Sequence, residues 1–144
     1  MNIWIINGPN LNMLGYRNIG HYGRMTLTDL NSLINLRYQA IDFTFKQSNY
    51  EGQIIDWIQQ IKLNEQDIDG LIINAGGYSH TSVAIADSIE MLSIPTVEVH
   101  LSDINNREEF RKHTFIENVV DARFFGEFEK SYLNAVDFIV KCPK

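Results

Sequence analysis

Short apolar runs of strand length alternate along the chain with segments whose apolar residues recur at helical spacing. The apolar runs cover residues 2–7, 42–47, 70–75, 96–100 and 119–125, and the helical patterns cover 27–41, 51–63, 79–92 and 129–140, with a short helix near 107–112. Because parallel strands need a crossover, which a helix supplies, this alternation predicts an α/β fold with helices on both faces of a parallel sheet. Five strands in 144 residues favour the flavodoxin-like strand order 2-1-3-4-5.

The composition of the chain argues against several classes of protein, including nucleic-acid binders and membrane proteins. The chain contains no linker, repeat or low-complexity tract, which predicts a single domain over residues 1–144. Its 12 basic and 18 acidic residues give a net charge of −6, which argues against a general nucleic-acid binder. The apolar runs are too short to span a membrane, and Met1 leads into the first run without a basic segment or cleavage site. Cys142 is the only cysteine, so no internal disulfide forms, and a cytoplasmic protein is expected.

Polar residues follow or end three of the predicted strands. Ligands of such sheets bind beyond the carboxyl ends of the strands, where residues 7–10, 74–80 and 98–102 fall. Side chains alternate between the faces of a strand, so Glu98, His100 and Ser102 point the same way. A carboxylate, an imidazole and a hydroxyl are therefore predicted to line one crevice. Glu98 and His100 are fewer than the three protein ligands of a typical catalytic zinc site, so no metal is predicted.

Two glycine-containing segments border this crevice. The loop of residues 16–24 carries two cations and two phenols, and it either closes over the site as a lid or is a solvated surface loop. Gly76 and Gly77 precede a predicted helix whose N-cap is Ser79 or Thr81. They either bring backbone N–H groups to an anion or form a plain turn.

The remaining motifs favour acid–base chemistry. The chain has no dinucleotide fingerprint, no Walker loop and no G-x-S-x-G elbow, and no lysine lies in the three convergent segments. What remains is an imidazole held by a carboxylate, with arginines nearby and a tyrosine on the lid.

Several blocks of sequence, in order and spread over nearly the whole chain, resemble type II 3-dehydroquinate dehydratase. They are residues 7–15 (NGPNLNMLG), Arg17 with Tyr22 and Gly23, 47–52 (QSNYEG), 74–83 (NAGGYSHTSV) and 98–111 (EVHLSDINNREEFR). The resemblance implies a cofactor-free anti elimination of water from 3-dehydroquinate, giving 3-dehydroshikimate through an enol or enolate. It also implies a place in the shikimate pathway to chorismate and aromatic amino acids, with catabolic quinate metabolism as the alternative.

The same resemblance implies roles for individual residues. Tyr22 corresponds to the base, with Arg17 beside it, and His100 corresponds to the acid that protonates the departing hydroxyl, with Glu98 orienting it. Asn10 corresponds to a group that helps to stabilise the enolate oxygen. Five residues correspond to substrate contacts: Asn74, His80, Leu101, Ser102 and Arg111. Asp87 corresponds to a position that a neighbouring subunit presents, and the family's trimers, assembled into a dodecamer, imply the same assembly here.

The chain also departs from the family pattern. Asn18 and Ile19 stand where members usually have Glu-Pro, so the lid backbone is less restricted, and Phe128 replaces a glycine. Two other interpretations remain open. One is a flavodoxin-like module that holds a phosphorylated or nucleotide ligand at residues 76–80 without catalysis, and the other is a dehydratase-like protein that no longer catalyses.

Overall fold

Five parallel strands form one sheet in the order 2-1-3-4-5 counted along the chain, which confirms the predicted fold class. The computed structural model describes residues 1–142. The strands are β1 (Asn2–Asn7), β2 (Asp42–Gln47), β3 (Gly70–Asn74), β4 (Thr96–His100) and β5 (Ala122–Phe125). The α-helices are α1 (Ile19–Tyr22), α2 (Leu27–Arg37), α3 (Glu51–Leu63), α4 (Val83–Glu90) and α5 (Glu129–Lys141). Short 3-10 helices lie at Leu11–Met13, Glu65–Asp67, Gly76–His80, Ile104–Asn106 and Glu109–Arg111.

Apolar side chains pack on both faces of the sheet. Along β1, Ile3 and Ile5 contribute to the core cluster that α2 and α5 cover, whereas Trp4 and Ile6 contribute to the cluster that α3 and α4 cover. The three inner strands are almost fully buried, and the edge strands β2 and β5 are half-buried. Because helices occupy both faces, the ends of the strands are where the sheet can meet a ligand.

Several element ends differ from the sequence prediction. α2 ends at Arg37 and does not reach Ile41, because residues 38–41 must turn before β2 begins. Ile41 still packs against the core from this turn. β5 begins at Ala122, because Val119 belongs to a turn in which its N–H donates to the carbonyl of Ile116 at 3.1 Å. The helix predicted near 107–112 is only the 3-10 turn Glu109–Arg111.

The helix after β3 begins later than predicted. β3 ends at Asn74, and Gly76–His80 then form a 3-10 helix, so α4 begins only at Val83. Its N-cap is Ser82, whose hydroxyl accepts the N–H of Ile85 at 3.0 Å, and the predicted caps Ser79 and Thr81 are wrong. Among residues 1–142, no helix is long and apolar enough to cross a membrane.

Candidate active site

One cleft lies beyond the carboxyl ends of β1, β3 and β4, and its cavity volume is about 120 Å³. Its walls bring together nine of the residues that the sequence predicted for the site: Asn10, Arg17, Tyr22, Asn74, His80, His100, Leu101, Ser102 and Arg111. Glu98 lies behind His100, and Asp87 lies outside the cleft on an exposed position of α4. The strand order reverses between β1 and β3, so this is the position where such sheets bind ligands.

His100 ends β4 and is held from beneath by Glu98. Glu98 Oε1 lies 2.7 Å from His100 Nε2, which leaves Nδ1 as the ring nitrogen that can act on a ligand. Burial by itself would raise the pKa of Glu98, but hydrogen bonds and charges from His100, Arg123 and Thr114 outweigh it and lower this pKa below its usual value. Glu98 is therefore a carboxylate at neutral pH, and it fixes the orientation of the imidazole.

A second imidazole stacks on the first. The ring centroids of His80 and His100 are 5.9 Å apart, with an interplanar angle of 24°. Burial, together with the charges of His100 and Arg111, lowers the pKa of His80 below its usual value, so this ring is neutral at neutral pH. His80 Nδ1 lies 2.8 Å from the carbonyl oxygen of His113. A neutral ring donates through Nδ1 in that contact, which leaves Nε2 as an acceptor at the cleft.

A buried tyrosine ties the ends of two neighbouring strands together. The hydroxyl of Tyr132 donates to Asn7 Oδ1 at 2.6 Å and accepts from Asn74 Nδ2 at 2.9 Å. Burial raises the pKa of Tyr132, which keeps the phenol protonated. Asn74 Oδ1 also accepts the N–H of Gly76 at 3.1 Å, so both ends of the Asn74 amide have protein partners. This network fixes the floor of the cleft.

Tyr22 reaches the cleft from the one-turn helix α1. Asn18 caps that helix by accepting the N–H of Gly20 at 2.9 Å. The guanidinium carbon of Arg17 lies 3.7 Å from the centroid of the Tyr22 ring, in a cation–π contact. Burial, together with the positive charges of Arg107 and Arg111, lowers the pKa of Arg17. The loop of residues 16–24 thus places a phenol and a guanidinium at the cleft, as expected for a lid.

Arg107 is the site residue that sequence reasoning missed. Its Nη1 donates to the Tyr22 hydroxyl at 3.0 Å and contacts Ser102 Oγ at 3.4 Å. Arg17 lies over the face of the Tyr22 ring, whereas Arg107 lies at the oxygen that would carry the charge of a phenolate. Arg107 belongs to the block 98–111 that carries the resemblance, but its spacing from β4 does not show where it points.

Asn10 and Arg111 also line the walls. Asn10 has a left-handed backbone (φ +68°), which asparagine tolerates well, and its N–H donates to Asn49 Oδ1 at 3.0 Å. The approach of this loop to β3 requires Gly8, since a Cβ there would lie 2.4 Å from the Ala75 carbonyl oxygen. Arg111 lines the cleft while its Nε donates to a Glu108 carboxylate oxygen at 2.9 Å. Within residues 1–142, no group of three or more His, Cys, Asp or Glu side chains could hold a metal ion.

Comparison with known proteins places this architecture in one family. The family model described as dehydroquinase class II matches residues 1–140. The chain is 47% identical over 145 residues to 3-dehydroquinate dehydratase of Trichodesmium erythraeum, covering 99% of this chain and 95% of the relative. The crystal structure of type II dehydroquinase from Butyrivibrio crossotus matches with a TM-score of 0.93 and 41% identity, over 98% of each chain. That of type II dehydroquinase from Propionibacterium acnes matches with a TM-score of 0.89 and 33% identity, over 97% of each chain. The chain therefore belongs to the type II dehydroquinase family.

Proposed function

We propose that the chain converts 3-dehydroquinate to 3-dehydroshikimate by anti elimination of water, with side chains as its only acid and base. The observation that carries the proposal is that Tyr22, bonded by Arg107, and His100, backed by Glu98, line the same cleft. Relatives bearing the name 3-dehydroquinate dehydratase support the substrate. A nucleotide-binding module would leave both pairs without a role, so the enzyme is favoured.

The first step is removal of a proton from the carbon beside the ketone. Tyr22 acts as the base in its phenolate form and takes the proton. The electron pair of the broken C–H bond is then shared with the ketone, whose oxygen becomes the enolate oxygen. Arg107 stabilises the phenolate because its Nη1 already donates to that oxygen at 3.0 Å. Arg17 supports the same charge from the face of the ring. Asn10 helps to hold the water or donor that stabilises the enolate oxygen.

In the second step the hydroxyl leaves from the adjacent carbon, on the face of the substrate opposite to the removed proton. The enolate collapses back to the ketone, and its electron pair forms the new carbon–carbon double bond. The C–O bond breaks, and His100 donates a proton to the departing oxygen, so that water leaves. His100 Nδ1 is the donor, because Nε2 is bound to Glu98. The Glu98 carboxylate orients the ring and stabilises its charged form before the proton is transferred.

The cleft suits an anionic substrate although the chain carries a net charge of −6. Arg17, Arg107 and Arg111 line it together. Arg111 is suited to the substrate carboxylate, because a guanidinium can bind both oxygens. Nε2 of His80 accepts a hydrogen bond from a substrate hydroxyl. Asn74, Leu101 and Ser102 form the remaining wall. Local cations thus overcome the repulsion of the overall negative charge.

Assembly and cellular role extend the same proposal. Asp87 is exposed on α4 and outside the cleft of its own chain. We place it at the active site of a neighbouring subunit in a trimer, with trimers assembled into a dodecamer in the cytoplasm. The biosynthetic shikimate pathway is the proposed setting. Mass measurement over a range of concentrations tests the assembly, and a fully active monomer would contradict it.

An absorbance assay for the conjugated enone of the product tests the activity. Wild-type protein is mixed with 3-dehydroquinate and compared with His100→Asn, which lacks the acid. His113→Asn is the matched control, since its side chain is exposed outside the cleft and pairs with Glu117. We expect turnover by wild type and the control, and a loss of about 10²–10⁴-fold in His100→Asn. No enone from the wild-type protein would reject the proposal.

A further inference from the structure

Arg123 lies directly opposite Glu98 in the pairing of β4 with β5. Its Nε donates to Glu98 Oε2 at 2.8 Å, and the Thr114 hydroxyl donates to the same oxygen at 3.0 Å. The other carboxylate oxygen, Oε1, contacts His100 Nε2 at 2.7 Å. The two oxygens of Glu98 are thus divided between a fixed cation with a hydroxyl on one side and the imidazole on the other.

Glu98 needs such partners because its side chain is completely buried. A buried carboxylate without hydrogen bonds and a nearby cation takes up a proton, because desolvation penalises the charged form. A protonated Glu98 would no longer attract a positively charged imidazole, and its proton would compete with that of His100 Nε2 for the contact. The charge state of Glu98 therefore decides how firmly His100 is held.

Arg123 is itself held in place by groups on its other side. Its Nη1 donates to Glu117 Oε2 at 2.8 Å, and Glu117 in turn pairs with His113 at 2.5 Å. The guanidinium carbon lies 5.4 Å from the centroid of the Phe125 ring. Arg123 does not line the cleft, so it can affect a reaction there only through Glu98.

From this geometry we propose that Arg123 is a positioning residue for the acid His100. It keeps Glu98 in its charged form and occupies Oε2, so that Oε1 remains available to orient the imidazole. The inference rests on the proposed function, because it assigns Arg123 a part in that reaction. The alternative is an ion pair at the edge of the sheet that stabilises the fold and does nothing for the acid.

The sign of the pH effect follows from the groups that face Glu98. His100, Arg123 and Thr114 contact it directly, Glu117 lies beyond Arg123, and His80 stacks beyond His100. Removal of Arg123 takes away a cation that lowers the pKa of Glu98, so this pKa must rise. Glu98 then protonates at a higher pH, and the acidic limb of the kcat profile moves up with it.

The first test needs no substrate. The side-chain carboxyl carbon of Glu98, identified by its absence in Glu98→Gln, is titrated by NMR in wild type, Arg123→Met and Arg123→Lys. We expect Arg123→Met to raise the titration midpoint by about one pH unit or more, and Arg123→Lys to restore most of it. Should Arg123→Met not fold, Arg123→Gln removes the charge while keeping a donor. An unchanged midpoint would overturn the proposal.

The second test uses turnover of 3-dehydroquinate by the same variants. We expect Arg123→Met to lower kcat about 10-fold with KM within about 2-fold of wild type, as for a lost charge-assisted hydrogen bond, and to move the acidic limb upward. Arg123→Lys should recover most of the loss. Glu117→Gln, which removes the other ion pair of Arg123, is the matched control and should leave the limb in place. Normal kcat and profile in Arg123→Met would overturn the positioning role even if Glu98 titrates differently. An inactive wild type would contradict the proposed function instead, which the carboxyl titration distinguishes.

Discussion

The two sides of the cleft are built from different kinds of structure. On the strand side, which we define as Asn74, Glu98 and His100, each side chain stands on an inner strand and is buried. On the loop side, which we define as Arg17, Tyr22, Arg107 and Arg111, each stands on a loop or a short helix and is partly exposed. The proposed acid thus belongs to the rigid frame, and the proposed base belongs to the segment that can move.

The strand side is also packed more tightly from behind than the loop side. Glu98 fills the space beneath His100 and has three hydrogen-bonding partners of its own. Tyr22 also lines a second, open cavity of about 340 Å³, whose mostly apolar walls include Leu14, Met25 and Phe128. A ring that borders empty space on one side is free to shift, whereas a packed imidazole is not. We therefore expect the proposed acid to be preorganised and the proposed base to be brought into place with the lid.

The positive charges of the loop side repel one another, which gives this side a reason to respond to an anionic ligand. Arg17, Arg107 and Arg111 lie close enough that burial and the other two charges lower the pKa of Arg17. Like charges held together repel one another, and an anion bound among them relieves that repulsion. We therefore expect an anionic substrate to draw these arginines and the lid together.

The largest expected effect is that of Tyr22→Phe. Removal of the proposed base should lower kcat by about 10²–10⁴-fold. The free energy of unfolding should stay within about 0.5 kcal/mol of wild type, because Arg107, the hydrogen-bond partner of this hydroxyl, keeps its contacts with Ser102 and Glu108. Tyr16→Phe is the control, since Tyr16 is 86% exposed in the same loop. Steady-state kinetics and thermal unfolding check both parts, and turnover within a few-fold of wild type would reassign the base.

The next largest effect should separate the arginines of the loop side. Arg107→Met should lower kcat about 10–100-fold, because it removes a charge-assisted hydrogen bond to the phenolic oxygen. Arg17→Met should lower kcat less, because it removes only a contact with the ring face. Arg111→Met should mainly raise KM, as expected for a residue that holds a ground-state carboxylate. A larger loss of kcat in Arg17→Met than in Arg107→Met would show that the contacts differ when substrate is bound.

The sequence predicted the strand side better than the loop side for a physical reason. Alternation of side chains along a strand has a fixed period, so Glu98 and His100 could be placed together from their spacing alone. The alternation of strands and helices predicted a parallel sheet, and five strands in a chain of this length favoured the strand order that the structure has. Arg107 follows a turn of irregular backbone, and no period connects it with Tyr22, which lies 85 residues away.

Contacts over long sequence separations were also beyond the sequence. The hydroxyl of Tyr132 reaches Asn7 over a separation of 125 residues, and only the packing of α5 against the sheet brings them together. Arg123 left only a weak signal, as one of two charged residues, with Asp121, in the predicted strand 119–125. Register with β4 was needed to show that it faces Glu98. The start of α4 was predicted too early. A 3-10 helix precedes it, and residues that cap an α-helix also occur in such a turn.

The strand side should be coupled to folding stability, which Thr114→Val tests. At neutral pH this change should cost about 1.5–3 kcal/mol, since it removes a hydrogen bond to a buried carboxylate. The pKa of Glu98 is lowered in the folded state, so its stabilising effect is present above the ordinary pKa of glutamate and is lost as the pH falls through the folded pKa. The difference between Thr114→Val and wild type should therefore shrink on acidification.

The control for this prediction is Thr96→Val on β4, the strand that carries Glu98. Thr96 is also buried, but its hydroxyl donates to the neutral carbonyl of Ile94 at 3.1 Å. Its cost in unfolding free energy should be smaller and should not change between neutral and acidic pH. Denaturant unfolding at several pH values measures both variants. Parallel pH curves for Thr114→Val and Thr96→Val would show that the Glu98 charge is not linked to folding through this hydrogen bond.

The smallest expected effect concerns the backbone of the lid. Ile19 is the first residue of α1, a position that favours proline, and Asn18 before it has φ −54° and ψ 114°, which proline tolerates in its neighbour. Ile19→Pro should therefore stabilise the loop by about 0.4–1 kcal/mol by restricting its open conformations. Hydrogen exchange at residues 20–23 should slow by about 2–5-fold, with kcat/KM changed by no more than that factor. Ile19→Ala is the control, because it removes the same exposed side chain without restricting the backbone. Faster exchange in the proline variant than in the alanine variant would mean that α1 is not the conformation the free lid prefers, and the contrast between a rigid strand side and a movable loop side would then rest on packing alone.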